Sequence, residues 1–143
     1  MTEPKLFVAA KAFIVHNGKV LLIRESNKYE DGTQAGKFGE VGGRLKPGER
    51  FDESLLRETK EETGLDVTIG KPFYVGDWWP KVHGEQWQIV GIFFECHATS
   101  PEVVLSVDHD AYKWINPREY QKYEIMEDLH PVFVEYLKQY KEV

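Results

Sequence analysis

Three glutamates, Glu58, Glu61 and Glu62, lie close together near the end of residues 42–65, GGRLKPGERFDESLLRETKEETGL. On a helix these i,i+3 and i,i+4 steps put their side chains on one face. Like charges at such spacings cost about 0.2–0.5 kcal/mol per pair when exposed. Either water with the neighbouring Arg57 and Lys60 relieves that cost, or a bound cation does. Three hard oxygen donors beside a glycine-rich loop suit Mg²⁺ or Mn²⁺, which keep several waters and take other ligands from substrate phosphates. A solvated acidic face is the other reading of the cluster taken alone.

The local signals around the cluster are a loop running into a helix. Gly42-Gly43 and Pro47-Gly48 are turn dipeptides. The helix is expected to start near Phe51 or Asp52, with Asp52 and Glu53 in a first turn that favours carboxylates. Gly64 suits the residue just past its end. Leu55, Leu56, Thr59 and Thr63 fall mainly on the side opposite the glutamates, towards a core.

Taken whole, the stretch resembles the Nudix box: Gly, five residues, Glu, seven residues, then Arg-Glu-aliphatic-x-Glu-Glu-x-Gly-aliphatic. Those positions are here Gly43, Glu49, Arg57, Glu58, Thr59, Glu61, Glu62, Gly64 and Leu65, and eight of the nine match. Thr59 stands where the family carries an aliphatic residue. Its hydroxyl needs a partner if buried, which predicts a small loss of stability and no loss of a ligand. Upstream, Phe38 supplies the family's aromatic, and Val41 occupies a position where proline is common.

The resemblance implies an α+β fold, an α/β/α sandwich with a mixed sheet between helices. It also implies hydrolysis of a nucleoside diphosphate linked to another group, by water attack on phosphorus. By family position, Glu58 and Glu62 are the leading metal ligands, with Glu61 as ligand or participant in water activation and the Gly42 carbonyl as a further ligand. The implied cofactor is Mg²⁺ or Mn²⁺. Glu58 is the first choice of base, and Arg57 is expected to orient Glu49 or Glu58 through a bidentate hydrogen bond. Asp108, His109 and Asp110 form a second place where family members put an acid or base, against a reading as solvated loop residues.

Substrate contacts are less sharply marked. Arg44, directly after the glycine pair, is a candidate phosphate contact, as are Lys37 and Arg24. Trp78 and Trp79 are candidates to stack on a base, as are Tyr74 and Trp87, against a reading of each as core packing. The compact chain leans towards nucleoside triphosphates, including damaged ones. Alternatives are ADP-ribose, for which Pro80 is a weak pointer, nucleotide sugars and dinucleoside polyphosphates. A sensor module that binds a nucleotide without cutting it is the rival of another class, against which the three intact glutamates argue.

The remaining elements must hold this site. Residues 6–15 and 20–24 read as a strand pair around the turn His16-Asn17-Gly18-Lys19, with His16 as a turn residue. Residues 26–36 form a polar loop fit to border a site, and 37–41 a short strand leading to the glycines. Residues 66–69 and 73–79 read as strands broken by Gly70-Lys71-Pro72, and 80–84 as a turn. Residues 86–98 are the strongest strand signal, followed by a short strand at 111–115. Asn116 caps a short helix from Pro117. Residues 127–140 carry apolar residues at helical spacing, with Pro131 best placed in a first turn that starts near His130.

At 143 residues the chain is expected to form one domain, 1–143, with a single core. A net charge of −6 disfavours a nucleic-acid polymer or membrane surface as partner, so a small anionic nucleotide must be met by local cations and metal. The lone Cys96 cannot form an intrachain disulfide and reads as a buried structural thiol. No signal pattern or membrane-length apolar run appears, so the expected location is cytoplasmic. Exposed aromatics leave room for a homodimer without specifying one.

Overall fold

A computed structural model describes residues 3–140. The long strands are β1 (Lys5–His16), β2 (Lys19–Glu25), β5 (Val67–Trp78) and β7 (Glu85–Ala98). Shorter ones are β3 (Phe38–Gly39), β4 (Val41–Arg44), β6 (Lys81–Val82) and β8 (His109–Ile115). Their order is β3-β2-β1-β7-β5, with β4 also on β1, β8 on β2 and β6 on β7. β1 and β7 pair in parallel, from Lys5 opposite Trp87 to Val15 opposite His97. The other strand pairs are antiparallel, so the sheet is mixed.

A helix covers each face. Phe13 on β1 packs against Phe73, Phe133 and Tyr136 at ring-centroid distances of 5.4, 5.2 and 4.2 Å. Phe133 and Tyr136 belong to α2 (His130–Gln139). Ala12 and Ile14, which flank Phe13, enter the opposite core with Val41, Phe94, Cys96 and Leu55 of α1 (Phe51–Thr63). Burial on both faces explains why β1 alternates so weakly in sequence. Cys96 is fully buried there, and burial pushes its thiol up to about 12.

One edge of β1 is shared between two partners. Its end, at Val15 and His16, pairs with β2, while residues 9–12 pair with β4. The chain therefore leaves the β2 edge at Gly39, opposite Ile23, and joins β1 at Val41, opposite Ala12. Glu40 is the residue at the crossing. Residues on both sides of it line a cleft.

The structure refines several expectations. Residues 66–69 and 73–79 do not form separate strands: β5 runs through Gly70-Lys71-Pro72, absorbing them in register shifts between Ile69 and Tyr74. Such bulges accommodate an unpaired proline without ending a strand. The turn expected at 80–84 is a small hairpin, with Lys81 opposite Gln86 and positive φ at His83 (49°) and Gly84 (79°). Asn116 caps as expected, its side chain accepting from the Arg118 N–H at 3.0 Å, but residues 117–122 wind as a 3₁₀ helix. Residues 127–129 are also 3₁₀, and the α-helix begins at His130. Leu56 is corrected from core to surface at 45% exposure, because Leu55, Thr59 and Thr63 form the buried i,i+4 stripe and Leu56 stands about 100° round from it.

Candidate active site

That buried stripe fixes the rotation of α1. Gly64 ends the helix with φ +74°, its N–H donating to the Lys60 carbonyl at 2.9 Å. Glu58 and Glu62, one turn apart, are thereby aimed at the glycine pair. Gly42 has φ +128°, and a Cβ there would collide with the Ala10 carbonyl of β1. At Gly43 a Cβ would stand 2.9 Å from the Glu58 carboxyl carbon. The two glycines thus let the backbone lie between β1 and the acidic helix face.

The carboxylates are individually held. The Gly42 N–H donates to Glu62 Oε1 at 3.1 Å. Burial holds the Glu62 carboxyl well above the usual range; the Lys11 charge and the Gly42 N–H pull it back, and Glu58 beside it pushes it up again. Arg57 grips Glu49 with two bonds, Nε to Oε2 at 2.9 Å and Nη2 to Oε1 at 3.2 Å. Its Nη1 also donates to Glu58 Oε1 at 3.2 Å and to Glu61 Oε2 at 3.4 Å. The bidentate contact is therefore to Glu49, with a single bond to Glu58. The Arg57 hydrogen bonds, followed by the Lys46 N–H, lower the Glu49 carboxyl to about 2.

Glu61 differs from its neighbours, with a side chain 60% exposed against 18% for Glu58. Among the described residues, no group of three or more His, Cys, Asp or Glu side chains is gathered closely enough to hold a metal ion by itself. Two adjacent carboxyl groups, Glu58 and Glu62, do meet beside a backbone loop, and their partly unrelieved repulsion suits a cation. This hard-oxygen pair fits Mg²⁺ or Mn²⁺, ions that complete their shell with water and phosphate oxygens.

Beside Glu62 opens a cavity of about 170 Å³ that is partly open to solvent. Lys11, Glu40, Trp78, Phe93 and His109 are on its walls. Arg44 lies there too, stacked over Phe7 and Trp87 at 4.8 and 4.6 Å and paired with Asp31 at 2.9 Å. The 26–36 loop borders the cavity through Tyr29, Asp31, Thr33 and Gln34.

The other sequence candidates divide. Trp78, Trp87, Pro80, Asp108 and His109 line the cavity. Trp79 is 53% exposed and outside it, and Tyr74 packs against the α2 core. Arg24 is also outside, bonded to Asp110 at 2.7 Å, and Lys37 does not reach the lining. Burial, then the Lys11 charge, lower His109 to about 4, so its ring is neutral at pH 7.

Sequence reasoning missed Lys11, Glu25, Glu40 and Asp128, all on the cavity wall. The available signal was a charge inside an apolar strand run: Lys11 interrupts LFVAAKAFIV, and Glu40 sits between Gly39 and Val41.

Comparison with known proteins identifies the family of the chain. The NUDIX domain family model matches residues 5–137, and the chain belongs to the Nudix family. It is 28% identical over 123 residues to a CTP pyrophosphohydrolase of Escherichia coli K12, covering 83% of this chain and 82% of that one. It is 25% identical over 119 residues to the nucleoside triphosphatase NudI of E. coli, covering 78% and 83%. The crystal structure of a MutT protein from Methanosarcina mazei Go1 superposes over the full length of both chains with a TM-score of 0.83 at 24% identity, a likeness of fold. The mixed sheet between helices is the Nudix fold, and the protein is a hydrolase of phosphoric anhydride bonds.

Proposed function

We propose that the protein is a divalent-metal-dependent pyrophosphohydrolase of a nucleoside triphosphate or modified nucleotide, cleaving it to a nucleoside monophosphate and pyrophosphate. The observation that carries this reading is the Glu58–Glu62 pair beside Gly42-Gly43, opening onto a cavity walled by Trp78 and Phe93. Relatives named for CTP and nucleoside triphosphates support the substrate class.

Glu58, Glu62 and the Gly42 carbonyl would hold the metal, with the exposed Glu61 at its rim. When bound, Mg²⁺ or Mn²⁺ neutralises phosphate oxygens and lowers the pKa of water. Arg57 steadies Glu58, to which we assign the proton released as water attacks phosphorus and the bridging P–O bond breaks. Arg44 lies at the same cavity for a phosphate contact, its guanidinium already fixed by aromatic stacking. His109, neutral at pH 7, is available there as an uncharged hydrogen-bonding group.

The test is a pyrophosphate- and phosphate-release screen with Mg²⁺ across nucleoside triphosphates, oxidised nucleotides, ADP-ribose, nucleotide sugars and dinucleoside polyphosphates, each repeated in EDTA. EDTA-sensitive turnover best on a triphosphate is expected. Best turnover on ADP-ribose would replace the substrate, and EDTA-resistant turnover would refute the metal.

A further inference from the structure

Glu40 is a buried carboxyl group for which the protein supplies no partner. It is 5% exposed, and both its oxygens lack a hydrogen bond. Such a group is costly to bury as a charge, and burial accordingly pushes its pKa up, against the pull of the Lys11 charge. In either protonation state its oxygens still lack hydrogen-bond partners. It sits at the crossing from the β2 edge to the β1 edge and lines the cavity, with Phe93, Trp78 and Leu129 on the same walls. Lys11 is the nearest fixed cation: it lies opposite Gly42 on β1, and its Nζ donates to the Glu40 backbone carbonyl at 3.1 Å. A donor bonded to the Glu40 backbone, and close enough for its charge to act on the Glu40 carboxyl, therefore shares the cavity with that pair of unbonded oxygens. Glu62, held by the Gly42 N–H and also under the Lys11 charge, lines the same cavity and marks where phosphates belong in the function proposed above.

We propose that Glu40 and Lys11 read the nucleobase and select guanine. The inference rests on the nucleotide reading of the site. Guanine presents, in order along one edge, the O6 acceptor and the N1–H and N2–H donors. Burial holds the Glu40 carboxyl well above the usual carboxylate range, with the Lys11 charge pulling it back. The two N–H groups of guanine would stabilise it as the carboxylate, while the donor-only ammonium of Lys11 meets O6. Adenine, cytosine and uracil each lack the two adjacent donors. Trp78, itself in tilted contact with the buried Phe93 at 6.4 Å, would offer the ring an apolar wall on one side beside the edge recognition. Sites built to hydrogen-bond a group discriminate strongly against analogues lacking it, because the buried acceptors stay unpaired.

The experiment measures kcat/KM for GTP, ITP, XTP, ATP and CTP with Mg²⁺, on the wild type, E40Q and E40M. The wild type should favour GTP over XTP, whose O2 faces the carboxylate, by on the order of 10²-fold. In E40Q the amide accepts from N1–H and donates to O2, so the GTP/XTP ratio should reverse. In E40M, an apolar replacement expected to fold even if E40Q does not, the GTP/ITP ratio should fall to about one. A structural role would lower all substrates alike and leave these ratios unmoved, which overturns the proposal. So would a wild type that turns over triphosphates without guanine preference, or a preference that follows D128N instead. If no triphosphate is cleaved, the hydrolytic reading fails by itself. Calorimetric binding of GTP against XTP then still tests Glu40, with equal affinity refuting it.

Discussion

The two ends of the cleft are built by opposite strategies. At the acidic end, the groups come from one continuous stretch: Gly42, Gly43, Glu49, Arg57, Glu58 and Glu62 are joined by a loop and a helix. There almost every charge has a named partner, from the Arg57–Glu49 fork to the Gly42–Glu62 bond. Further along the cleft, Glu40, Trp78, Phe93 and Asp128 come from separate parts of the chain, and the Glu40 carboxyl has no hydrogen-bond partner. Lys11 stands between the two groups, its charge acting on both Glu62 and Glu40. Chemistry common to many substrates can be fixed once by a local motif. Selection among substrates needs unsatisfied groups that the right ligand completes. The ends should accordingly respond to mutation in different currencies, turnover at one and substrate ratio at the other.

The largest effect is expected from Glu58→Gln. Loss of the carboxylate should lower kcat by on the order of 10²–10⁴-fold, the range for a positioned proton acceptor. Relative binding of GTP and XTP, measured by calorimetry, should stay as in the wild type. Hydrolysis untouched by this change would refute the site assignment, and altered base preference would break the separation of the two ends.

Gly43→Ala asks how tightly the acidic end is packed. The residue does not have positive φ, so the backbone tolerates alanine, but the new Cβ would press within 2.9 Å of the Glu58 carboxyl carbon. A shift of that carboxylate should lower kcat by about 10²-fold, the cost of a misplaced reacting group. Near-normal kcat would mean that Glu58 does not act from this position. Arg57→Lys should cost less, about 10–100-fold, because lysine retains charge without the planar fork. Its second readout is Glu49, which titrates near 2 while gripped by Arg57. A depressed carboxyl contributes stability that is present above its unfolded pKa and lost as pH falls through the folded one. The variant should therefore show Glu49 titrating closer to the ordinary carboxylate range by NMR, with less stability lost on acidification towards pH 2.

The same contrast governs what could be read from the sequence. The loop, the helix limits, Gly64 as terminator and the shared face of Glu58 and Glu62 follow from local spacing. Glu61 shows the limit of that logic: it shares the face by periodicity, yet its side chain is mostly in solvent. Leu56 shows it again, since which apolar residue faces the core depends on the sheet beneath the helix. Lys11 and Glu40 were visible as charges in apolar surroundings. Their meeting depends on β1 lending one edge to both β2 and β4, a long-range pairing that no local pattern encodes. Pro72 misled for a related reason, because a bulge against β7 lets the strand continue through it.

The smallest expected effect concerns the helix that carries the acidic end. Thr59 and Thr63 are both fully buried on α1, one turn apart. Thr63 is satisfied: its hydroxyl donates to the Thr59 carbonyl at 2.6 Å and accepts from the Leu65 N–H at 3.1 Å. The Thr59 hydroxyl is buried without a partner. An isolated buried hydroxyl costs about 1–3 kcal/mol, whereas removing a satisfied one loses its bonds and strands their partners. Thr59→Val, nearly the same shape, should thus raise unfolding free energy by about 1 kcal/mol, and Thr63→Val should lower it by a similar amount. Denaturant titrations of both variants decide the matter through opposite shifts in midpoint at constant slope. Because Thr59 faces away from the carboxylates, the first change should leave kcat near wild type. A stabilised Thr59→Val enzyme with lost turnover would show that the helix must stay loose for catalysis, and the tidy division between core stripe and acidic face would fail.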